Sequence, residues 1–266
     1  QGIERAAGVR NGKDFLEKIV QLTVMVPKPE PLQLRQWFTD ELQAIATVKN
    51  DDELSRLKLI IDHEGGQQLR TPRSVVRTLD AIRFFWPPLR ELGGDLADLV
   101  WLQLIKDGNP KLYRWIEDYS ATVAVTSLRI ATVDASEQAA MHAELLATVP
   151  EEHFDNVMYR HNFADQLPGV EIRHSAEENG IIIFRTISDY QRDKAILGRR
   201  LASPHHYRLY FALADPSHAL THADVTAVWA GANCGSNQAG RALLNLHQEN
   251  LSGSLTKADL LLDRIK

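Results

Sequence analysis

Along most of this chain the apolar residues recur every three or four positions, the period of an α-helix rather than the two-residue alternation of a strand. From Leu34, the residues Phe38, Leu42 and Ile45 follow at intervals of four, four and three, which puts them on one helical face. Leu54, Leu57 and Ile61 continue the pattern, and Gly65 and Gly66 are expected to end that helix by accepting a left-handed cap. Thr71 and Pro72 then supply the N-cap and first-turn proline of a new helix, which Pro87 and Pro88 should kink or end. Leu96 to Ile105 is apolar on most sides, as expected of a helix in the middle of a helical layer. Asn109 and Pro110 restart the chain into another helix through Tyr119.

Before this helical stretch, Gly12 to Val20 reads as a helix, followed by the β-rich run Leu22 to Val26, which stops at Pro27 because proline cannot continue a ladder. Pro29 and Pro31 mark a hinge. After it, Asp134 to Glu178 is charged and less periodic, with Pro150 and Pro168 breaking it into short helices and loops, and it reads as an insertion or a mobile subregion. Ile181 to Phe184 reads as a short strand. Tyr190 to Arg200, Pro204 to Leu213, Thr221 to Trp229 and Gln238 to Leu251 read as helices. The expected fold is mainly α with one or two short strands.

Composition narrows the picture. A chain of 266 residues with 44% hydrophobic content can bury one large core or two modest ones. No stretch approaches the roughly 20 consecutive apolar residues of a membrane span, and no charged-then-apolar leader opens the sequence, so the expected location is cytoplasmic. The single cysteine, Cys234, excludes an internal disulfide and a cysteine-held zinc, and reads as a buried small residue. A net charge of -5 and a pI near 6.1 argue against whole-surface attraction to nucleic acid. The chain opens on Gln1 and a polar stretch to Asn11, as an excised piece of a longer protein would.

Several motifs mimic chemistry without supplying it. Gly235 to Gly240, GSNQAG, has P-loop glycine spacing, but Arg241 and Ala242 stand where lysine and a hydroxyl are needed, so it reads as a helix cap. Leu59 to Glu64, LIIDHE, imitates a strand ending in metal-binding acids, yet its apolar spacing is helical. His218 and His222 are four apart with Asp224 nearby, but they straddle a loop and a capped helix start and read as solvated. Tyr207, Tyr210 and Phe211 alternate with Leu209 and Leu213 at helical spacing, which suits a core better than base stacking. There is no GxSxG elbow.

The most informative constellation is Arg70, Arg73 and Arg77, spaced three and four apart. At about 100° per residue they point away from the seam made by Val75, Leu79, Ile82 and Trp86. An anchored helix would then present free guanidiniums beside the positive end of its dipole and its unpaired amides, a phosphate-binding arrangement. The plainer reading is a solvated basic face with Asp80 paired to Arg77.

Three stretches resemble the KAP family of P-loop NTPases. Gly12 to Pro27, GKDFLEKIVQLTVMVP, is similar to that family's aromatic-Leu-Glu-Lys-Ile helix running into an apolar strand closed by proline. Thr71 to Ala81 with Asp95 to Ile116 looks like its Pro-Arg helix and buried Leu-rich helix, and Gly198 to Pro216 like its Arg-x-x-x-Pro…Tyr-Phe box. The resemblance implies the end of an α/β nucleotide-binding core at 1–27, a helical lid at 28–120, and a C-terminal mainly helical region at 121–266 with an irregular insertion near 134–178.

By the same resemblance, Arg73 and then Arg77 occupy the place of a sensor-2 arginine reaching the γ-phosphate, with Arg70 a further phosphate contact. Arg10, with Arg5, is a weaker arginine-finger candidate. Lys18 has a salt-bridge alternative with Asp14 or Glu17. The chain has no GxxxxGK followed by Ser or Thr and no strand ending in paired aspartates, so ATP and Mg would be bound mainly by residues outside these 266, and this chain alone should be inactive. The implied function is the lid of an ATPase that couples nucleotide state to conformational change in a complex with a protein partner or further copies, of the kind found in bacterial anti-phage defence. Two other readings stand beside it: a non-enzymatic helical interaction module, and a nucleic-acid-binding domain using the Arg70 to Arg90 helix.

Overall fold

The structure, a computed structural model, describes residues 27–149, 157–174, 179–213, 220–252 and 255–265. The expected helix over Gly12 to Val20, the strand Leu22 to Val26, and Arg5, Arg10, Asp14, Glu17 and Lys18 lie outside the described residues. The chain divides into two units, 1–30 and 31–266, and all the elements below lie in the second.

The fold is mainly α. Helix α1 (Pro31–Ile45) buries Leu34, Phe38 and Leu42, the stripe its spacing predicts. Helix α2 (Asp51–Ile60) starts where the Asn50 side chain accepts from the Glu53 amide. It does not stop at the glycines. A π-helical turn, Ile61–Gly65, continues it, followed by a last α-turn, Gly66–Gln68.

Gly65 and Gly66 are right-handed, with φ of -58° and -59°, so neither serves as the expected left-handed cap. The rod ends instead at Leu69, just before Thr71, which Pro72 forces into extended backbone. The π-turn lets consecutive Ile60 and Ile61, then Glu64 and Gly65, all face inward, which a regular 3.6-residue period would spread apart.

Helix α3 (Pro72–Glu91) runs through Pro87 and Pro88 rather than ending at them. The prolines sit in its last turns, where the carbonyls they leave without a donor fall on Arg83 and on Phe84, both exposed to water. Helix α4 (Leu96–Gly108) is buried at every position from Leu96 to Ile105. It is the centre of the molecule, packed against α2, the π-turn, α3 and α5 (Pro110–Ser127), which Asn109 caps by accepting from the Leu112 amide.

The 134–178 stretch is packed rather than loose where it is described. Helix α6 (Ala135–Thr148) packs on α5, with the Trp115 indole donating to the Met141 carbonyl at 2.8 Å and Leu145 fully buried. Helix α7 (Val157–Ala164) adds Tyr159 and Phe163 to the same core. Strands β1 (Glu171–His174) and β2 (Asn179–Ile182) form an antiparallel ribbon pairing Glu171 with Ile182, and the His142 ring bonds the Ile181 carbonyl. Charged surface residues hid a periodicity that a few large side chains satisfy.

Helix α8 (Asp189–Leu197) buries Ala195 and Ile196, and α9 (Tyr207–Ala212) completes the main core, which runs from Leu34 to Tyr210 and takes in Tyr207, Tyr210 and Phe211 as expected. A smaller cluster, Leu220, Leu246, Ala258, Leu260 and Leu261, joins α10 (His222–Cys234), α11 (Ser236–Gln248) and α12 (Lys257–Ile265). A second ribbon, β3 (Asn250–Ser252) with β4 (Leu255–Thr256), precedes α12. Cys234 is exposed at the end of α10, not buried, because that hairpin buries little beyond Gly231 and Leu246.

Candidate phosphate-binding face

The start of α3 is tied off by its own side chains. The Thr71 hydroxyl accepts from the Ser74 amide at 3.1 Å and the Ser74 hydroxyl accepts from the Thr71 amide at 3.1 Å, a reciprocal capping box. Pro72 has no N–H, and the Val75 amide already donates to the Thr71 carbonyl. The first turn therefore offers one open amide, that of Arg73, instead of the set of unpaired donors expected from sequence. The positive character of this face comes mostly from guanidiniums.

Their supports differ. Val75, Leu79, Ile82 and Trp86 are buried, as predicted, and hold α3 against α1 and α4. Arg73 is exposed and has no hydrogen-bond or ion-pair partner among the described residues. Arg70 is folded back, its Nε donating to the Gln67 carbonyl at 2.8 Å.

Arg77 is 65% exposed and pairs with Asp107 at the end of α4, at 2.8 Å. Its expected partner Asp80 goes to Arg83 instead, at 2.9 Å, with Glu41 on the other nitrogen of Arg83. The acid-before-base order of Asp80 and Arg83 suits the backward tilt of helical side chains, and the order of Arg77 and Asp80 does not. The structure thus brings Arg70, Arg73 and Arg77 to one end of α3, and Arg10 lies outside the described residues.

The strongest electrostatic feature is elsewhere, and sequence reasoning missed it. Asp98 is fully buried in α4. It accepts a bidentate pair from Arg200, Nε at 2.8 Å and Nη2 at 2.9 Å, together with the Leu201 amide at 2.7 Å and Arg56 Nη1 at 3.1 Å. Asp95 caps α4 through the Asp98 amide and takes the other arm of Arg56. The Tyr210 hydroxyl accepts from the Asp95 amide at 2.8 Å and donates to the Arg199 carbonyl at 2.6 Å.

Burial pushes both carboxyls up, but the Arg200 and Arg56 guanidiniums overcome it at Asp98 and hold that group below its ordinary range. Asp95 is left raised, by burial first and by the Asp98 charge beside it second. With every oxygen of Asp98 engaged, this cluster has no idle base or ligand. It is a clamp joining α2, α4 and the segment 198–201. The legible signal was a lone aspartate in the middle of an otherwise apolar run.

A groove of about 690 Å³ beside the clamp is lined by Lys49, Asp52, Lys194 and Arg199, whose cations are already engaged. Lys49 donates to the Gly93 and Gly94 carbonyls, Lys194 pairs with Asp52, and Arg199 donates to the Leu92 carbonyl. It has no spare cation for an anion.

Two of the motif look-alikes resolve as read, whereas His218 of the histidine pair lies outside the described residues. LIIDHE is helical, with Asp62 exposed near Arg35 and Glu64 buried. Gly235, at φ 122°, separates α10 from α11, and Thr221 caps α10 in a box with Asp224, which Lys257 pairs at 3.1 Å. Among the described residues no group of three or more His, Cys, Asp or Glu is placed to hold a metal, and no helix is long and apolar enough to cross a membrane.

Comparison with known proteins finds a family likeness in the first third of the chain. The profile of the KAP family P-loop domain matches residues 1–87. Over that stretch, about the first third of its length, the chain is similar to the KAP family of P-loop NTPases. The match ends four residues inside the C-terminus of α3, so the Pro-Arg turn falls within the matched segment. The phage T7 exclusion protein of Escherichia coli (strain K12) is 28% identical over 258 residues, covering 96% of this chain and 34% of its own length. The chain thus spans about a third of that relative. No solved structure matches.

Proposed function

We propose that this chain is the helical, nucleotide-responsive part of a cytoplasmic P-loop ATPase that acts in phage exclusion. The carrying observation is Arg73, which stands exposed and, among the described residues, without a hydrogen-bond or ion-pair partner, on an anchored helix within the family-matched segment. The proposed division is the end of the nucleotide-binding core at 1–27, a lid at 28–120 and a C-terminal region at 121–266. ATP and Mg are held mainly by residues outside this chain, and Arg73, assisted by Arg77 and Arg70, contacts the terminal phosphate from the lid. Such a contact stabilises charge spreading over the phosphoryl oxygens and makes lid position depend on nucleotide state. The name of the relative, which covers nearly all of this chain, supports the defence role.

Because the clamp and the continuous core tie the lid to the region after 121, a shift of α3 would move both together. In the complete protein, Arg73→Ala should lower ATP turnover by about tenfold or more while leaving the unfolding midpoint unchanged, because the side chain is exposed and makes no hydrogen bond or ion pair among the described residues. Unchanged turnover removes Arg73 from the site. A second reading, docking of a protein partner on α3, is favoured by Phe84, 72% exposed on the same helix. Under that reading Phe84→Ser abolishes partner capture and Arg73→Ala leaves nucleotide turnover intact.

A further inference from the structure

Asp107 stands where a helix disfavours it. It lies in the last turn of α4, at the negative end of the helix dipole, where a cation belongs and a carboxylate costs stability. It is also held in place. Its helix is buried along ten consecutive residues, and its neighbour Lys106 lies over the Phe85 and Tyr113 rings, 5.3 and 5.1 Å from their centroids. On its other side the Gln68 side chain lies close against Gly108, where an added Cβ would sit 1.6 Å from its oxygen. Asp107 is 15% exposed and Arg77 is 65% exposed, so the pair joins a fixed acid to a mobile base.

From its position six residues into α3, an arginine side chain tilts back toward the helix start and reaches the turn that carries Arg73. Two destinations therefore compete for one guanidinium. We infer that Asp107 is a positioning residue that parks Arg77 on the flank of α3 when no phosphate is present and yields it when a phosphate arrives. This inference rests on the phosphate-contact reading above. A solvent-exposed ion pair is weak enough to be exchanged. A triphosphate offers the guanidinium a stronger, multiply charged acceptor. The exchange removes the guanidinium that pairs with Asp107 among the described residues, so the acid at the end of α4 is left facing its own dipole, and this makes the switch reversible when nucleotide leaves.

The test uses the complete protein and a non-hydrolysable ATP analogue, with affinity measured for wild type, Asp107→Asn, Asp107→Glu, Arg77→Ala and the double variant Arg77→Ala/Asp107→Asn. Asp107→Asn should tighten analogue binding about two- to fivefold, the range an exposed pair can withhold. Asp107→Glu should restore wild-type affinity. In the Arg77→Ala background, Asp107→Asn should change nothing. It should fold at least as well as wild type, since it removes an unfavourable helix-end charge, and thermal unfolding checks this. Weaker or unchanged binding by Asp107→Asn, or an equal effect with and without Arg77, overturns the inference even if Arg77→Ala itself weakens binding. If Arg73→Ala/Arg77→Ala binds the analogue as wild type does, the phosphate-contact reading fails and takes this one with it.

Discussion

Glu64 is fully enclosed by the main core, with one oxygen accepting from Gln68 Nε2 at 2.8 Å. Burial pushes its carboxyl up to about 7, partly offset by Gln68, Tyr159 and Trp101. A raised carboxyl favours the fold fully below the unfolded value near 4.5, and that contribution is lost as pH rises through 7. Glu64→Gln keeps the acceptor for Gln68 and removes the titration. The variant's stability relative to wild type should therefore improve by ~2 kcal/mol between pH 5 and pH 8. Denaturant unfolding at both pH values measures it, and a difference that stays flat would show that Glu64 is already ionised in the fold. The sequence placed this residue at a helix end but could not show its burial, because the π-turn that swings it inward leaves no mark in a 3.6-residue period.

Elements were read well where caps and periodicity agreed. Thr71 and Pro72 opened α3, Asn109 and Pro110 opened α5, and the apolar run at 96–105 was buried throughout. They were misread where one residue type was given one meaning. Gly65 and Gly66 are helical, Pro87 and Pro88 sit inside a helix whose end is solvated, and α6 hides its few core contacts among charges. The candidate site was half legible. The spacing of Arg70, Arg73 and Arg77 fixed their common face, but Asp107 and Asp98 are joined to their arginines across 30 and 102 residues, pairings that no local pattern contains.

The Asp98 clamp connects elements, and its worth is testable at that scale. Asp98→Ala would leave Arg200 buried without its bidentate acceptor and the Leu201 amide without a partner. It should cost roughly 3–5 kcal/mol by the measure of broken buried ion pairs. A fall in the urea midpoint reports it, and a change under 1 kcal/mol would mean that water reaches the cluster and screens it.

Among the described residues one core extends from α1 to α9, apart from the smaller cluster of α10 to α12, so a displacement at α3 is carried by a packed body rather than by a flexible link. The account stands or falls on whether the exposed arginine of α3 recognises the terminal phosphate. The direct measurement is the affinity of the complete protein for ATP and for ADP, each with and without Arg73→Ala. Loss of a contact made only to the γ-phosphate should erase about tenfold of ATP affinity and leave ADP binding unchanged. If the two nucleotides weaken equally, or neither does, α3 does not read the terminal phosphate.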